Sequence, residues 1–380
     1  MIYLDNSATT RPSGGVIRAM TQTLSEGFYN PSSMYAPALE AEKKLNECRA
    51  EIAGALHAKD ASVIFTSGGT ESNNLAIAGT LAVSRAPIRV AVSAVEHPSV
   101  YEAAKELCAG RAEFIELPVE ADGRVSLEAV EKELKKGLAL LSVMQVNNET
   151  GAINDISRIS RLRMEHCPDC RLHADGVQGF LREEIRFDTV DMYSLSAHKL
   201  HASKGTGALV VKKGLRLKAV NIGGGQEGGL RSGTENTAGV AGLKQAIGEM
   251  RGMADRREKM TALKARLYAL LKESIPDCVL NGPAPENGAC HILNMSFPGV
   301  RGETMLHALE EQGVIVSTGS ACSSKKTKIS RVLSAMGVPA RIAECAIRFS
   351  LCPYNTEEEI VLAAQAVKKS YETLVRFQRR

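Results

Sequence analysis

Between about residue 60 and residue 212, short apolar runs alternate with amphipathic stretches. Ser62–Thr66, Arg89–Ser93, Leu138–Val146, Arg171–Ala174 and Asp191–Leu195 read as buried strands. Ser99–Ala109 and Ser126–Lys136 carry the three-and-four spacing of helices between them. This alternation predicts a mostly parallel sheet covered by helices on both faces, with its chemistry in loops beyond the carboxyl ends of the strands. Glu235–Ser274 predicts a long helical stretch, bent or broken near Gly248 and Gly252. A turn-rich segment, Asn281–Gly288, follows. The chain then returns to strand (Cys290–Phe297), helix (Arg301–Gln312), strand (Val314–Ser317) and strand (Cys345–Leu351). It closes on a helix whose start, Thr356–Glu359, fits a capping box. The pattern as a whole is α/β: a large α/β domain, then a smaller α+β domain, joined by the helix after Glu235.

Composition narrows the function classes. The 380 residues suggest two or three domains at ~150 residues each. Apolar residues at 44% support a large core, and 24% charged residues argue against disorder. A net charge of +4 gives no electrostatic case for direct nucleic-acid or anionic-membrane binding. Trp is absent and aromatics are 4%, so base-stacking surfaces are not indicated. The chain starts without a basic, apolar leader, and its longest apolar run, Gly137–Val146, is too short to span a bilayer. Nine scattered cysteines, an odd number, read as reduced thiols of a cytoplasmic protein.

Four strand ends carry candidate chemistry. Ser67-Gly-Gly69-Thr70-Glu71 follows a strand and opens a helix, where glycines expose backbone N–H groups to an anion and Thr70 adds a hydroxyl. The plainer reading makes Thr70 an ordinary helix cap. Ser196-Ala-His198-Lys199 ends another strand, and a partly desolvated lysine there suits Schiff-base chemistry. Otherwise Lys199 is a surface lysine. Asp175, in His173-Ala-Asp175-Gly-Val-Gln178, can keep a pyridinium nitrogen protonated, or can simply cap a helix. His97, before Pro98, can stack on a flat ring or move protons, or serve only the fold. Together these form a phosphate cradle, a ring acid, a ring stacker and a lysine, a combination that points to pyridoxal 5'-phosphate.

With these residues in place, the sequence resembles the cysteine desulfurases of the NifS/IscS type, in the class V aminotransferase group of fold-type I pyridoxal phosphate enzymes. The resemblance runs from Tyr3–Thr10 to Arg348–Leu351 and includes Phe65–Asn73, Glu96-His-Pro98, Asn147-Asn-Glu149, Asp175 with Gln178, Ser196–Lys199, Gly223–Gln226 through Arg231–Thr234, and Gly319-Ser-Ala-Cys322. It implies a large domain at 15–250 with a mostly parallel seven-stranded sheet. The small α+β domain would comprise 1–14 and 251–380 and carry the Cys322 loop and Arg348.

The resemblance also implies roles. Lys199 bonds the cofactor's aldehyde. Gly69, Thr70, Ser196 and His198 cradle its phosphate, joined by Thr234 from the other subunit of a homodimer. Asp175 pairs with the ring nitrogen, Gln178 with the ring hydroxyl, and His97 lies against the ring as a catalytic neighbour. Asn148 and Arg348 hold the substrate carboxylate, for which the planar guanidinium fork is well shaped. Cys322 sits in a small, polar, lysine-rich segment, Ser317–Ser330, that reads as a mobile loop; Lys325, Lys326 and Lys328 favour its thiolate. The implied reaction converts L-cysteine to L-alanine and leaves a persulfide on Cys322. A sulfur-acceptor protein of iron–sulfur cluster assembly or tRNA thiolation would take that sulfur. Alternatives are selenocysteine lyase, an aminotransferase, or a sulfur-relay protein with a degenerate site; the loop cysteine argues against the second and the retained lysine against the third. No metal site is expected. His166-Cys167-Pro-Asp-Cys170-Arg-Leu-His173 has zinc-like spacing but is compact and lacks a distant second pair of ligands, so it reads as a helix–strand loop.

Overall fold

The computed structural model describes residues 1–58, 61–85, 87–318 and 329–378. The chain begins with β1 (Ile2–Tyr3), α1 (Gly14–Glu26) and α2 (Ala36–Ala55). Then come β2 (Ala61–Thr66), α3 (Gly69–Leu81), β3 (Arg89–Ser93), α4 (Pro98–Cys108), β4 (Glu113–Leu117) and α5 (Leu127–Lys135). β5 (Leu140–Ser142), α6 (Ile156–His166), β6 (Arg171–Asp175), β7 (Met192–Ser196) and β8 (Gly207–Lys212) follow. Among the described residues these strands form a seven-stranded sheet of order β2-β8-β7-β6-β5-β3-β4. Only β8 runs antiparallel to its neighbours.

Side chains on the strands alternate between two cores, as a doubly covered sheet requires. Val63, Phe65, Ala91, Leu172, Tyr193 and Val210 face one core with α1, α2, α5, α6 and α7 (Thr237–Gly252). Ile64, Val90, Val92, Met192 and Leu209 face the other, under α3 and α4. All five expected strands are present. The Leu138–Val146 run is shorter as a strand, because beyond Ser142 only single bonds continue, from Val143 N to His173 O and from Gln145 N to Asp175 O. Two further strands, β4 and β8, were not among those expected.

The helical stretch after Glu235 is two helices, α7 and α8 (Arg256–Ser274), broken at Met253–Asp255. β9 (Val279–Leu280), β10 (Ile292–Ser296), α9 (Gly302–Glu310), β11 (Val314–Ile315), α10 (Arg331–Ala335), α11 (Ala340–Ala343), β12 (Ala346–Ser350) and α12 (Glu357–Gln378) complete the fold. β12, β10 and β9 form an antiparallel sheet, and β1 pairs with β11. Leu4, Leu267, Met295, Phe297, Phe349 and Val367 share a separate core there. The capping box at the start of α12 is formed: Thr356 N donates to Glu359 Oε2 and Glu359 N to Thr356 Oγ1. Among the described residues no helix is long and apolar enough to cross a membrane.

Candidate active site

A cleft of about 480 Å³ opens at the carboxyl ends of β2, β3, β6 and β7, where the small sheet meets the large one. It is lined by Gly69, Thr70, His97, Asn148, Asp175, Gln178, Ser196, His198, Lys199 and Arg348, ten of the expected site residues. Thr234 is exposed and does not line it. Cys322 lies outside the described residues. A second cavity, of about 570 Å³, lies beside α2 and β2, away from these strand ends. Its Arg49 and Glu227 already pair with each other at 2.7 Å.

The first side of the cleft is built for an anion. α3 begins at Gly69 with Gly68 as its cap and no capping side chain, so its first N–H groups face outward unclaimed by a cap. This corrects the reading of Thr70 as the cap: Thr70 is already inside the helix and is exposed. Gly68, at φ 152°, adopts a backbone that side chains disfavour, and a Cβ on Gly69 would come within 2.6 Å of Val177 Cγ2. Ser196 ends β7, and a short 3₁₀ turn, Ala197–Lys199, carries His198 and Lys199 to the cleft. Burial, reinforced by the charges of Lys199, Lys204 and Arg182, pushes His198 down to about 4, so it is a neutral imidazole at neutral pH. The Lys199 amine donates to the carbonyls of Ser7 and Ala8, and the buried Arg182 holds the backbone carbonyl of Lys199.

The floor of the cleft is a hydrogen-bonded chain of side chains. Asp175, at the end of β6, is buried; its Oδ1 accepts from Val177 N at 2.9 Å and its Oδ2 from Asn73 Nδ2 at 2.8 Å. Asn73 also donates to Ser99 Oγ at 2.9 Å, and Ser99 Oγ lies 2.8 Å from His97 Nδ1. His97 caps α4 by accepting from Ser99 N, so Nδ1 is an acceptor and the ring proton sits on Nε2. His97 thus serves the fold as a helix cap and also lines the cleft. Burial lowers its basicity, opposed by the charge of Asp175. Gln178 reaches the N-terminal segment, donating to Ser7 O at 3.0 Å, while its Oε1 lies 3.3 Å from His291 Nε2.

The opposite wall comes from the small sheet. Arg348, on β12, is 3% exposed; it donates to Asn148 O at 3.0 Å and to Asp5 Oδ1 at 2.7 Å, and its Nε has no partner. Glu96 is buried beside His97. Its Oε1 accepts from Ser93 Oγ and Met144 N, its Oε2 has no partner, and burial pushes the acid up to about 8. Sequence reasoning did not assign roles to Asp5, Asn73 or Glu96. All three stand inside motifs it quoted, two residues or fewer from a polar neighbour, and only the folded geometry shows what they hold.

The model of the family described as aminotransferase class V matches residues 2–362. The chain belongs to the class V aminotransferase family. Within it, a cysteine desulfurase IscS of Dictyoglomus turgidum is 39% identical over 98% of this chain and 95% of its own. A cysteine desulfurase of a Nostoc species is 36% identical over 98% of this chain and 94% of its own. Among solved structures, a NifS-like protein superposes with TM-score 0.89 at 31% identity, covering 98% of this chain and 100% of its own. SspA in complex with cysteine superposes with TM-score 0.81 at 30% identity, covering 94% and 100%. The chain is thus a class V member of the NifS/IscS cysteine desulfurase type.

The site fits the pyridoxal phosphate that this family implies. The uncapped start of α3, with the Gly69 position that a Cβ would fill, suits a phosphate. The buried Asp175 supplies a carboxylate, the kind of group a ring nitrogen needs, and Lys199 lines the same cleft. In the zinc-like segment His173 turns away from Cys167 and Cys170 into the sheet, with its ring nitrogens on Ser142 and Ser194.

Proposed function

We propose that this cysteine desulfurase binds pyridoxal phosphate in the cleft, converts L-cysteine to L-alanine, and keeps the sulfur as a persulfide on Cys322 for an acceptor protein. One observation carries the reading: Lys199, Asp175 and Arg348, from two different sheets, converge on a single cleft. The bound cofactor supplies an aldehyde that condenses with amines and a ring that draws electrons from the substrate α-carbon. The N–H groups of α3, with Thr70, Ser196 and neutral His198, hold its phosphate. Asp175 keeps the ring nitrogen protonated, and Asn73 keeps Asp175 in place. His97 would pack against the ring, and Gln178 would offer an amide to the ring hydroxyl.

Arg348 and Asn148 orient the substrate carboxylate, which directs the α-hydrogen toward Lys199. The Lys199 amine takes the proton from the α-carbon. The Cys322 thiolate attacks the substrate sulfur: the new S–S bond forms as the C–S bond breaks, and the carbon fragment takes up protons to leave as alanine. Cys322→Ser tests this directly. The variant keeps the cofactor's absorbance and its change on adding cysteine, while alanine formation falls by about two orders of magnitude or more. Normal turnover in that variant contradicts the assignment.

The reading includes a homodimer, which two observations support. Thr234 is exposed and outside the cleft, as a residue serving a second subunit's phosphate would be. Phe28, Met34, Leu39 and Ile222 are 67%, 98%, 55% and 86% exposed, an apolar set that a second copy would cover. A mass measurement in solution at twice the chain mass fits this; a monomer with full activity does not.

A further inference from the structure

At the opposite end of β6 from Asp175 lies a pair of thiols that the reaction does not use. Cys167 caps the end of α6, and Cys170 immediately precedes β6. Pro168 and Asp169 turn the chain between them, and Cys170 N donates to Cys167 O at 3.0 Å. A turn closed by that bond brings its first and fourth Cα atoms within about 7 Å, the range a disulfide needs.

The two sulfurs differ in setting. Cys170 is 1% exposed, and its thiol points to Arg171 O at 3.6 Å. Cys167 is partly exposed, and its sulfur accepts from Leu138 N at 3.4 Å. The neighbouring Cys170 side chain, with the backbone N–H groups of Leu138 and Cys170, favours the Cys167 thiolate against its partial burial. The neighbouring Cys167 and near-complete burial push Cys170 up. An accessible, more acidic thiol backed by a buried, less acidic one is the division of labour of a thiol–disulfide exchange site.

We propose that Cys167 and Cys170 form a dithiol–disulfide couple that exchanges with low-molecular-weight disulfides, separate from the desulfurase cleft. The Cys167 thiolate attacks one sulfur of the small disulfide, forming a mixed disulfide and expelling one thiolate. Cys170 then loses its proton and attacks Cys167 Sγ, closing the internal disulfide and expelling the second thiolate. Two electrons pass from the cysteine pair to the small disulfide, which leaves as two thiols.

Trypsin cuts on either side of Met164–Arg171, so one peptide carries both cysteines. The cofactor-loaded full-length protein is equilibrated with glutathione and glutathione disulfide in varied ratio, quenched in acid, alkylated and digested. Most of the peptide is expected to pass from doubly alkylated to internally bridged, two hydrogens lighter than the free dithiol peptide and without either alkyl group, as the disulfide fraction rises. In Cys170→Ser the same treatment leaves glutathione attached at Cys167. Two results overturn the proposal: a wild-type peptide that stays doubly alkylated in glutathione disulfide, or one that stops at the glutathione adduct with Cys170 still free. Because the readout is a peptide mass, it is independent of whether alanine is made.

Discussion

Oδ1 of Asp5 lies 2.7 Å from a terminal nitrogen of Arg348, across 343 residues of chain. The pair forms because β12 runs beside the N-terminal segment: Asn6 N donates to Ser350 O, and Ser350 N to Leu4 O. Arg348 is therefore held by a carboxylate on one side and by the carbonyl of Asn148 on the other before any substrate arrives. A guanidinium fixed in this way loses little freedom when it grips a substrate carboxylate.

Asp5→Asn keeps the shape and removes the charge. The orientation of Arg348 loosens, so KM for L-cysteine rises by about tenfold with a smaller change in kcat. Steady-state kinetics with alanine as the measured product checks this. An unchanged KM would show that Asp5 does not position Arg348 for the substrate.

Asn73→Ala removes the donor shared by Asp175 and Ser99. A hydrogen bond to a charged group contributes about 1.5–3 kcal/mol, so retention of pyridoxal phosphate weakens by about ten- to a hundredfold. Absorbance of the cofactor after dialysis measures it. Asn73→Asp is expected to be worse, because a second carboxylate would face Asp175 at the distance where the amide now donates.

The α/β class and the main strand ends were legible because short apolar runs and glycine turns are local signals. β6 and β7 are clear examples: the last residue of each, Asp175 or Ser196, lines the cleft. β4 was not legible because it is an edge strand whose Glu113 and Glu116 are exposed. β8 carries the same kind of continuous apolar run, Ala208–Val211, and was not singled out. Lys199, Asp175 and His97 could be nominated from their motifs. That Asn73 joins Asp175 to Ser99 and so to His97, and that Asp5 meets Arg348, depends on strand order and on the return of β12 to the N-terminus. No spacing along the chain encodes either contact.

Glu96 gives a pH-dependent prediction. Its acid is raised from 4.5 to about 8 by burial, so between these values the folded chain binds a proton that the unfolded chain has released. Its contribution is fully present below about pH 4.5 and is lost as pH rises through about 8. Glu96→Gln mimics the protonated acid and removes this dependence. The variant should gain stability over the wild type by about 2 kcal/mol between about pH 5 and about pH 7, as read from denaturant midpoints. A difference that does not change with pH contradicts a protonated Glu96 in the folded state.

Pyridoxal phosphate bound in this cleft and sulfur taken with it from L-cysteine are tested together by an absorbance spectrum of the purified protein before and after adding L-cysteine, with alanine and sulfide followed in the same cuvette. The prediction is a visible cofactor band, lost in Lys199→Ala, that changes on adding cysteine while alanine accumulates. A protein that stays colourless after incubation with pyridoxal phosphate, or a band that responds to cysteine without alanine, would contradict it.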